Sequence, residues 1–563
     1  MSLAALRPGL ATVLYAAGGL TVAVLLLYPI LMVMLSSVSQ SLTDTTLTFT
    51  WYRQVYGDAR IWGALWNTVV VVFGVTAIAA TVGMGLAWIV VRTDLPCPRV
   101  VETAVILPFL ISPLIGALSW SWLASPSNGL INLALRDMSG LKVTSGPIDI
   151  YSLGGIIWVL GLFCVPYMFL FTTAALKSVD PVLEEAARLA GTGPLVSFLR
   201  VTIRLISPAV LSGLLFTAIV AIGNFDVPGI VGIRGNVWVF STLVYAAMHD
   251  PPNPPRAAAL SSALTLVTIA MLWGQLRLMG LRQFVTISGK DRRGGRIALG
   301  RWRPLAIAFC AAYLLVAVLA PVAAIIYGSL VPPWGGSLTL NAYEMVLTEY
   351  DSTWAAVQTS ALLASVGSLV TVIAGALLAY VLVRSRIRLR RVLEYVLLLP
   401  AAIPGTAFAV GMVVAWIRPP VVLYGTTAIL LLAYIAHFMP LAVRTAMGSL
   451  VQISRELEEC SRVCGAGWAM TMRRITTPLI SPGLTSAWIL LLVIMLRELP
   501  MSAILYVPGR ETISVVIYGM WSEGNTEAVA AFAVLVTLLS LLGVVLVRAA
   551  LGRLTRYRRV LGA

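Results

Sequence analysis

At 563 residues the chain could hold several soluble domains, yet 59% of it is apolar and only 11% is charged, well under the ~25% charge of an average soluble domain. This composition excludes a water-soluble globular protein. The net charge of +16 invites a nucleic-acid reading, which the placement of the charges argues against.

In chain order, twelve apolar runs are each long enough to cross a bilayer as helix. They lie near 12–36, 63–91, 101–123, 151–176, 206–232, 257–279, 304–330, 355–383, 392–416, 421–446, 484–506 and 526–549. The first is too long for a secretory h-region and has no clear small-residue cleavage site, so it reads as a retained helix. Proline, glycine or charge interrupts the third, fifth and eleventh.

The basic residues collect between alternate runs. The loop 384–391 holds five arginines, the linker 276–303 holds seven arginines and Lys290, and the tail 548–563 holds five more arginines. All fall on one face of a twelve-helix chain. On the other face, loop 331–354 has Glu344, Glu349 and Asp351 and no Lys or Arg. The positive-inside rule puts both termini in the cytoplasm. The excess charge is thus topological, and no nucleic-acid partner is expected.

The five cysteines are scattered and suggest no disulfide framework. Cys460 and Cys464 lack the ligand count of a zinc site, and His249 and His437 are the only histidines. No metal site is expected, and no nucleophile–base constellation points to a membrane enzyme.

The chain repeats itself. Residues 180–210 match 454–484 without a gap at an offset of 274. Glu184 and Glu458, Glu185 and Glu459, Gly191 and Gly465, and Pro208 and Pro482 coincide. Upstream, AWIVVR (87–92) matches AYVLVR (379–384) at an offset of 292. The first half therefore carries about 18 extra residues, assigned to loop 124–150. The stretch 240–248 resembles 512–520, with its register open by one residue. An even number of helices per half makes this a parallel repeat. The divisions are a first half at 1–279, a basic cytoplasmic linker at 280–303 and a second half at 304–563.

Each repeated polar segment, 180–208 and 454–482, has helix-start chemistry. Asp180 and Ser454 can cap free N–H groups, and the paired glutamates sit near the positive end of the helix dipole. Gly191 and Gly465 break the helix, so each segment reads as a helix–turn–helix on the cytoplasmic surface.

This pattern resembles the EAA loop of ABC importer permeases: Glu-Ala-Ala, three residues, Gly, nine residues, then an Ile-x-Leu-Pro-like end. Copy one supplies Glu185, Ala186, Ala187, Gly191, Val201 and Ile203, with Arg204 where the family usually has Pro. Copy two supplies Glu459, Gly465, Ile475, Thr477 and Pro478, with Cys460 and Ser461 in place of the alanines. The resemblance covers nearly the whole chain. FVTISGKDRRGGRIALGRWR (284–303), RELP (497–500) and AVAAFAVLVTLL (528–539) look most similar to fused twelve-helix permeases of the ferric-iron/thiamine type.

The resemblance implies an all-α polytopic membrane protein of the type I ABC importer permease fold, with about twelve transmembrane helices as two parallel six-helix repeats. It implies a bacterial inner-membrane location in a lipid bilayer, a periplasmic solute-binding protein, and two ABC ATPase subunits that carry ATP and Mg. Glu184, Glu185, Ala186, Ala187, Gly191, Glu458, Glu459 and Gly465 would form the ATPase-coupling helices. Ferric iron is the expected cargo, with thiamine, phosphonate or another small solute as alternatives. The chain itself lacks a GxxxxGK[ST] sequence, since Gly289-Lys290 is followed by Asp291. It is therefore not expected to be an enzyme, and it needs no cofactor of its own.

Asp226, Arg497 and Glu498 fall within or at the end of apolar runs, beside Pro228 and Pro500. Ionisable groups at such depth face a cavity or a partner, and broken helices are tolerated along a pathway. These three are candidates for the translocation path or gate. A bland alternative pairs Arg497 with Glu498 as a structural ion pair. An ion-coupled secondary transporter could use Asp226 or Glu498, but it gives no reason for duplicated EAA-like segments.

Overall fold

A computed structural model describes residues 18–19, 22–42, 46–139, 146–179, 191–193, 196, 202–280, 297–332, 336–384 and 390–560. Within these the chain is helical, and its extended pairings are isolated bridges such as Thr93 with Ile297. Among the described residues nine helices are long and apolar enough to cross a membrane, and eleven if two sharply bent pairs each count as one span. Of the first expected span, 12–36, residues 18–19 and 22–36 are described, and they include most of the apolar helix Val24–Ser37.

The bent pairs are the third and ninth expected spans. Pro98–Phe109 meets Pro113–Ala124 at 92°, and Val392–Ala402 meets Gly405–Trp416 at 107°. The cause is local. Ser112 is extended ahead of Pro113, and Pro404 is itself extended, so proline chemistry stops one helix and starts the next.

The eleventh span differs more. The helix runs Trp468–Leu496 instead of 484–506, because the apolar window continued across Arg497 and Glu498 into 499–506. Backbone geometry ends the helix at Arg497, just before Pro500. The tenth runs Thr427–Val451 rather than 421–446, since the turn at Gly425, with φ +81°, delays its start.

The repeat is exact at the level of single bonds. Helices start at Leu153 and Thr427 and carry Pro166 and Pro440 at matching depth. The Thr68 hydroxyl accepts from the Phe240 N–H at 2.9 Å, as Ser360 accepts from Ile513 at 2.8 Å. This settles the open register of that stretch at an offset of 273. The Ser37–Tyr52 hydroxyl pair recurs as Ser329–Tyr343. The extra residues of the first half lie between Ala124 and Leu153 and include the helix Leu130–Ser139.

The halves are clasped rather than merely abutted. Tyr28–Ser37 of the first half packs on Gly405–Trp416 of the second, and Ala320–Leu330 packs on Pro113–Ala124 of the first. Contact is close enough to require glycine: a Cβ on Gly411 would stand 2.7 Å from the Pro29 carbonyl, and one on Gly328 would stand 2.6 Å from the Trp122 ring. One apolar core runs through both halves.

Candidate functional site: the polar segments and the seam between the halves

The second polar segment opens with Ser454, whose hydroxyl accepts from the Glu456 N–H at 3.3 Å. The helix Arg455–Val463 follows and stops at Gly465, with φ +83°. The helix then splits its glutamates between two environments. Glu458 is buried, and its carboxylate accepts from the Arg384 Nε at 3.1 Å. The Thr476 and Tyr380 hydroxyls lie at 3.4 and 3.5 Å from it. Glu459 faces solvent with Glu456, Leu457 and Cys460, and Val463 is 88% exposed.

Arg384 is the anchor of this segment. It also donates to the Ile453 carbonyl at 3.1 Å, and Arg455 donates back to the Val383 carbonyl at 2.8 Å. The end of the Ser352–Arg384 helix and the start of the surface helix are thereby tied together. The Trp468 indole donates to the Tyr380 hydroxyl at 3.3 Å and completes the junction.

In the first copy, Glu184, Glu185, Ala186 and Ala187 lie outside the described residues, as does most of the linker 280–303. What is described repeats the second copy. Gly191 has φ +85°, the left-handed conformation that glycine adopts without strain. Arg92, which stands 292 residues before Arg384, donates to the Val179 carbonyl at 3.2 Å, and Val179 stands 274 before Ile453. The arginine anchors were present in the AWIVVR/AYVLVR match, but nothing local marked them as partners of a segment some 70 to 90 residues away.

At the far end of the spans from these segments, both halves break. The helix Ile203–Gly223 stops at Asn224, whose side-chain oxygen accepts from the Val227 N–H at 3.0 Å. In the second half Glu498 takes that place. Its carboxylate accepts from the Met501 N–H at 2.7 Å, the Ser502 N–H at 3.0 Å and the Ser502 hydroxyl at 2.9 Å. The positional counterpart of Glu498 is thus Asn224, and Asp226 corresponds to Pro500. Glu498 is a buried cap, which argues against the local ion pair with Arg497.

Asp226 and Arg497 belong to different halves and lie within electrostatic range of each other. Asp226 is 8% exposed, and the Asn224 amide lies 3.4 Å from its Oδ2. Its Oδ1 and the Nη1 of Arg497 have no hydrogen-bond partner among the described residues. Arg497 and Glu498 both lie within electrostatic range of Asp226, and Tyr167 lies within range of Asp226 and Arg497. Gly223 backs onto Pro404, a contact between halves, and Gly405 backs onto Pro500 within the second half.

Aromatic side chains also meet across the seam. Phe225 and Tyr245 of the first half meet Tyr518 of the second at 5.7 and 5.8 Å between ring centres, and His249 stacks on Tyr245 at 4.0 Å. His437 instead sits among Phe408 and Phe438. Among the described residues no three His, Cys, Asp or Glu side chains gather as a metal site would require. Chemically, the seam offers aromatic contact between the halves and opposite charges on its two sides.

Residues 79–278 and 371–556 each match the family model described as "Binding-protein-dependent transport system inner membrane component". The chain is 27% identical over 387 residues to "Ferric transport system permease protein FbpB" of Actinobacillus pleuropneumoniae, covering 68% of this chain and 56% of that one. It therefore spans little more than half the length of that relative. It is 28% identical over 523 residues to "Probable ABC transporter permease protein y4fN" of Sinorhizobium fredii, covering 88% and 89%. A shorter match, 29% identical over 226 residues, is to "Putative 2-aminoethylphosphonate transport system permease protein PhnV" of Salmonella paratyphi A, covering 39% and 84%.

Proposed function

The chain belongs to the family of binding-protein-dependent transport system inner membrane components, and on that premise we propose that it is the permease of an ATP-driven importer of ferric iron. It is a multi-pass inner-membrane protein. Two ABC ATPase subunits, carrying ATP and Mg, seat on the polar segments from the cytoplasm, where both termini also lie. A periplasmic solute-binding protein delivers cargo to the opposite face.

The observation that carries this reading is the doubled polar segment. Each copy bends at a left-handed glycine, Gly191 or Gly465, and each is preceded by an arginine tie, through Arg92 or Arg384. A tied surface helix transmits a push to the membrane helix behind it. An exposed face bearing Leu457, Glu459 and Val463 offers the mixed chemistry that a protein groove accepts. A secondary transporter gives no reason for either feature.

The seam supplies the other end of the cycle. Rocking of the clasped halves separates Tyr518 from Phe225 and Tyr245 and moves Arg497 relative to Asp226, so that cargo passes between halves. Likeness to a ferric permease supports iron as cargo, and likeness to an aminoethylphosphonate permease supports a phosphonate as the second reading.

Exchanging Glu185→Lys together with Glu459→Lys is expected to cut ATPase association and uptake by about tenfold or more, as like-charge contacts do at an interface, with thermal stability unchanged. Unchanged association and uptake in this double variant would remove the role given to the segments. Uptake of labelled ferric iron against a labelled phosphonate decides the cargo.

A further inference from the structure

We propose that a cavity at the outer mouth, between the halves, binds a small hydroxylated carboxylate through Arg234. The cavity measures about 350 Å³ and takes residues from both halves, within the ~300–1,000 Å³ range of small-molecule sites. Arg234 lies over the Tyr151 ring of the first half at 5.1 Å and the Trp521 ring of the second at 5.0 Å. Among the described residues its guanidinium makes no hydrogen bond and no ion pair beyond these ring contacts.

Ring contact orients a guanidinium and strips water from its faces, leaving the N–H fork free for a planar oxyanion. Among the described residues no acidic side chain and no second Lys or Arg lines the cavity. Arg136 lies nearby, but it is turned to the Ser127 carbonyl. One fixed positive charge matches one carboxylate better than a phosphate dianion. The remaining polar lining, which includes Ser125, Asn128 and Tyr327, supplies partners for hydroxyl groups on the same ligand.

The site is built, and one of its walls has no counterpart in the other half. The extra residues of the first half form its wall, stitched by Asn132. That buried amide donates to the Ser125 carbonyl at 2.9 Å and the Ile148 carbonyl at 2.7 Å, and it accepts from the Ile148 N–H at 3.1 Å. Gly235 presses against the Tyr151 carbonyl, where a Cβ would come within 1.9 Å. The insertion, which the repeat itself does not require, therefore has a use. Because Tyr151 and Trp521 belong to different halves, an occupant clamps the outer mouth in this arrangement.

The test is calorimetric titration of the full chain in lipid nanodiscs with gluconate, acetate and glucose, without ATPase or binding protein. It is therefore independent of the transport reading. Gluconate is expected to bind saturably, acetate more weakly and glucose not at all. Arg234→Gln, at an exposed position, is expected to weaken gluconate by about tenfold or more with the fold intact, and Arg234→Lys to weaken it as well, since an ammonium replaces the planar fork. Absence of saturable gluconate binding to the unmodified chain, or equal binding by Arg234→Gln, overturns the proposal.

Discussion

Glu458→Ala is expected to be among the most damaging single changes in this protein, costing about 3–5 kcal/mol locally by stranding Arg384 as a buried, unpaired charge. Both side chains are more than nine-tenths buried, so solvent offers little relief. The Arg455–Val463 helix would lose its hold on the Ser352–Arg384 helix, and uptake would fall with it. Thermal unfolding and transport assays check this together. A second change, Arg384→Met combined with Glu458→Met, should recover stability, because an apolar pair removes the stranded charge. Neighbouring Glu459→Ala should leave stability within about 0.5 kcal/mol, as exposed substitutions do, while still weakening ATPase association. Equal stability losses at 458 and 459 would contradict the division of the two glutamates into anchor and contact.

The second large effect is expected at Glu498. Its carboxylate accepts from three donors in the broken segment, the N–H groups of Met501 and Ser502 and the Ser502 hydroxyl. Glu498→Ala leaves the buried Met501 and Ser502 N–H groups unsatisfied at roughly 1 kcal/mol or more each, about 2 kcal/mol in all, while the Ser502 hydroxyl keeps the backbone carbonyl of residue 498 as acceptor. Glu498→Gln keeps one acceptor oxygen, as Asn224 provides in the first half, and should fall between. Hydrogen exchange at the Met501 and Ser502 amides reads this directly. Native protection in Glu498→Ala would show that the cap holds nothing.

Much of this was legible in the sequence because helix length and apolar content both register in a simple window. The parallel repeat, the insertion in the first half and the paired glycines were all visible as offsets. The errors came where apolarity and helicity part company. Residues 499–506 are apolar but lie beyond a helix end, so the eleventh span was placed too late. The third and ninth spans bend sharply at Pro113 and Pro404, although each apolar run continues through the bend. Glu458 and Glu459 looked equivalent, since burial depends on which helix face meets Arg384, a residue 74 positions earlier. Asp226 and Glu498 share carboxylate chemistry, but hydrogen bonding makes Asn224 the counterpart of Glu498.

The central claim is that the duplicated polar segments receive the ATPase. Its most direct measurement is photocrosslinking from Val463, the most exposed apolar side chain of the second segment, in membranes containing the assembled transporter. Val421, also exposed and on the opposite membrane face of the topology, serves as the control. An adduct between Val463 and a nucleotide-binding subunit, altered by ATP, is expected, and none from Val421. Absence of that adduct at Val463, or equal adducts from both positions, would contradict it.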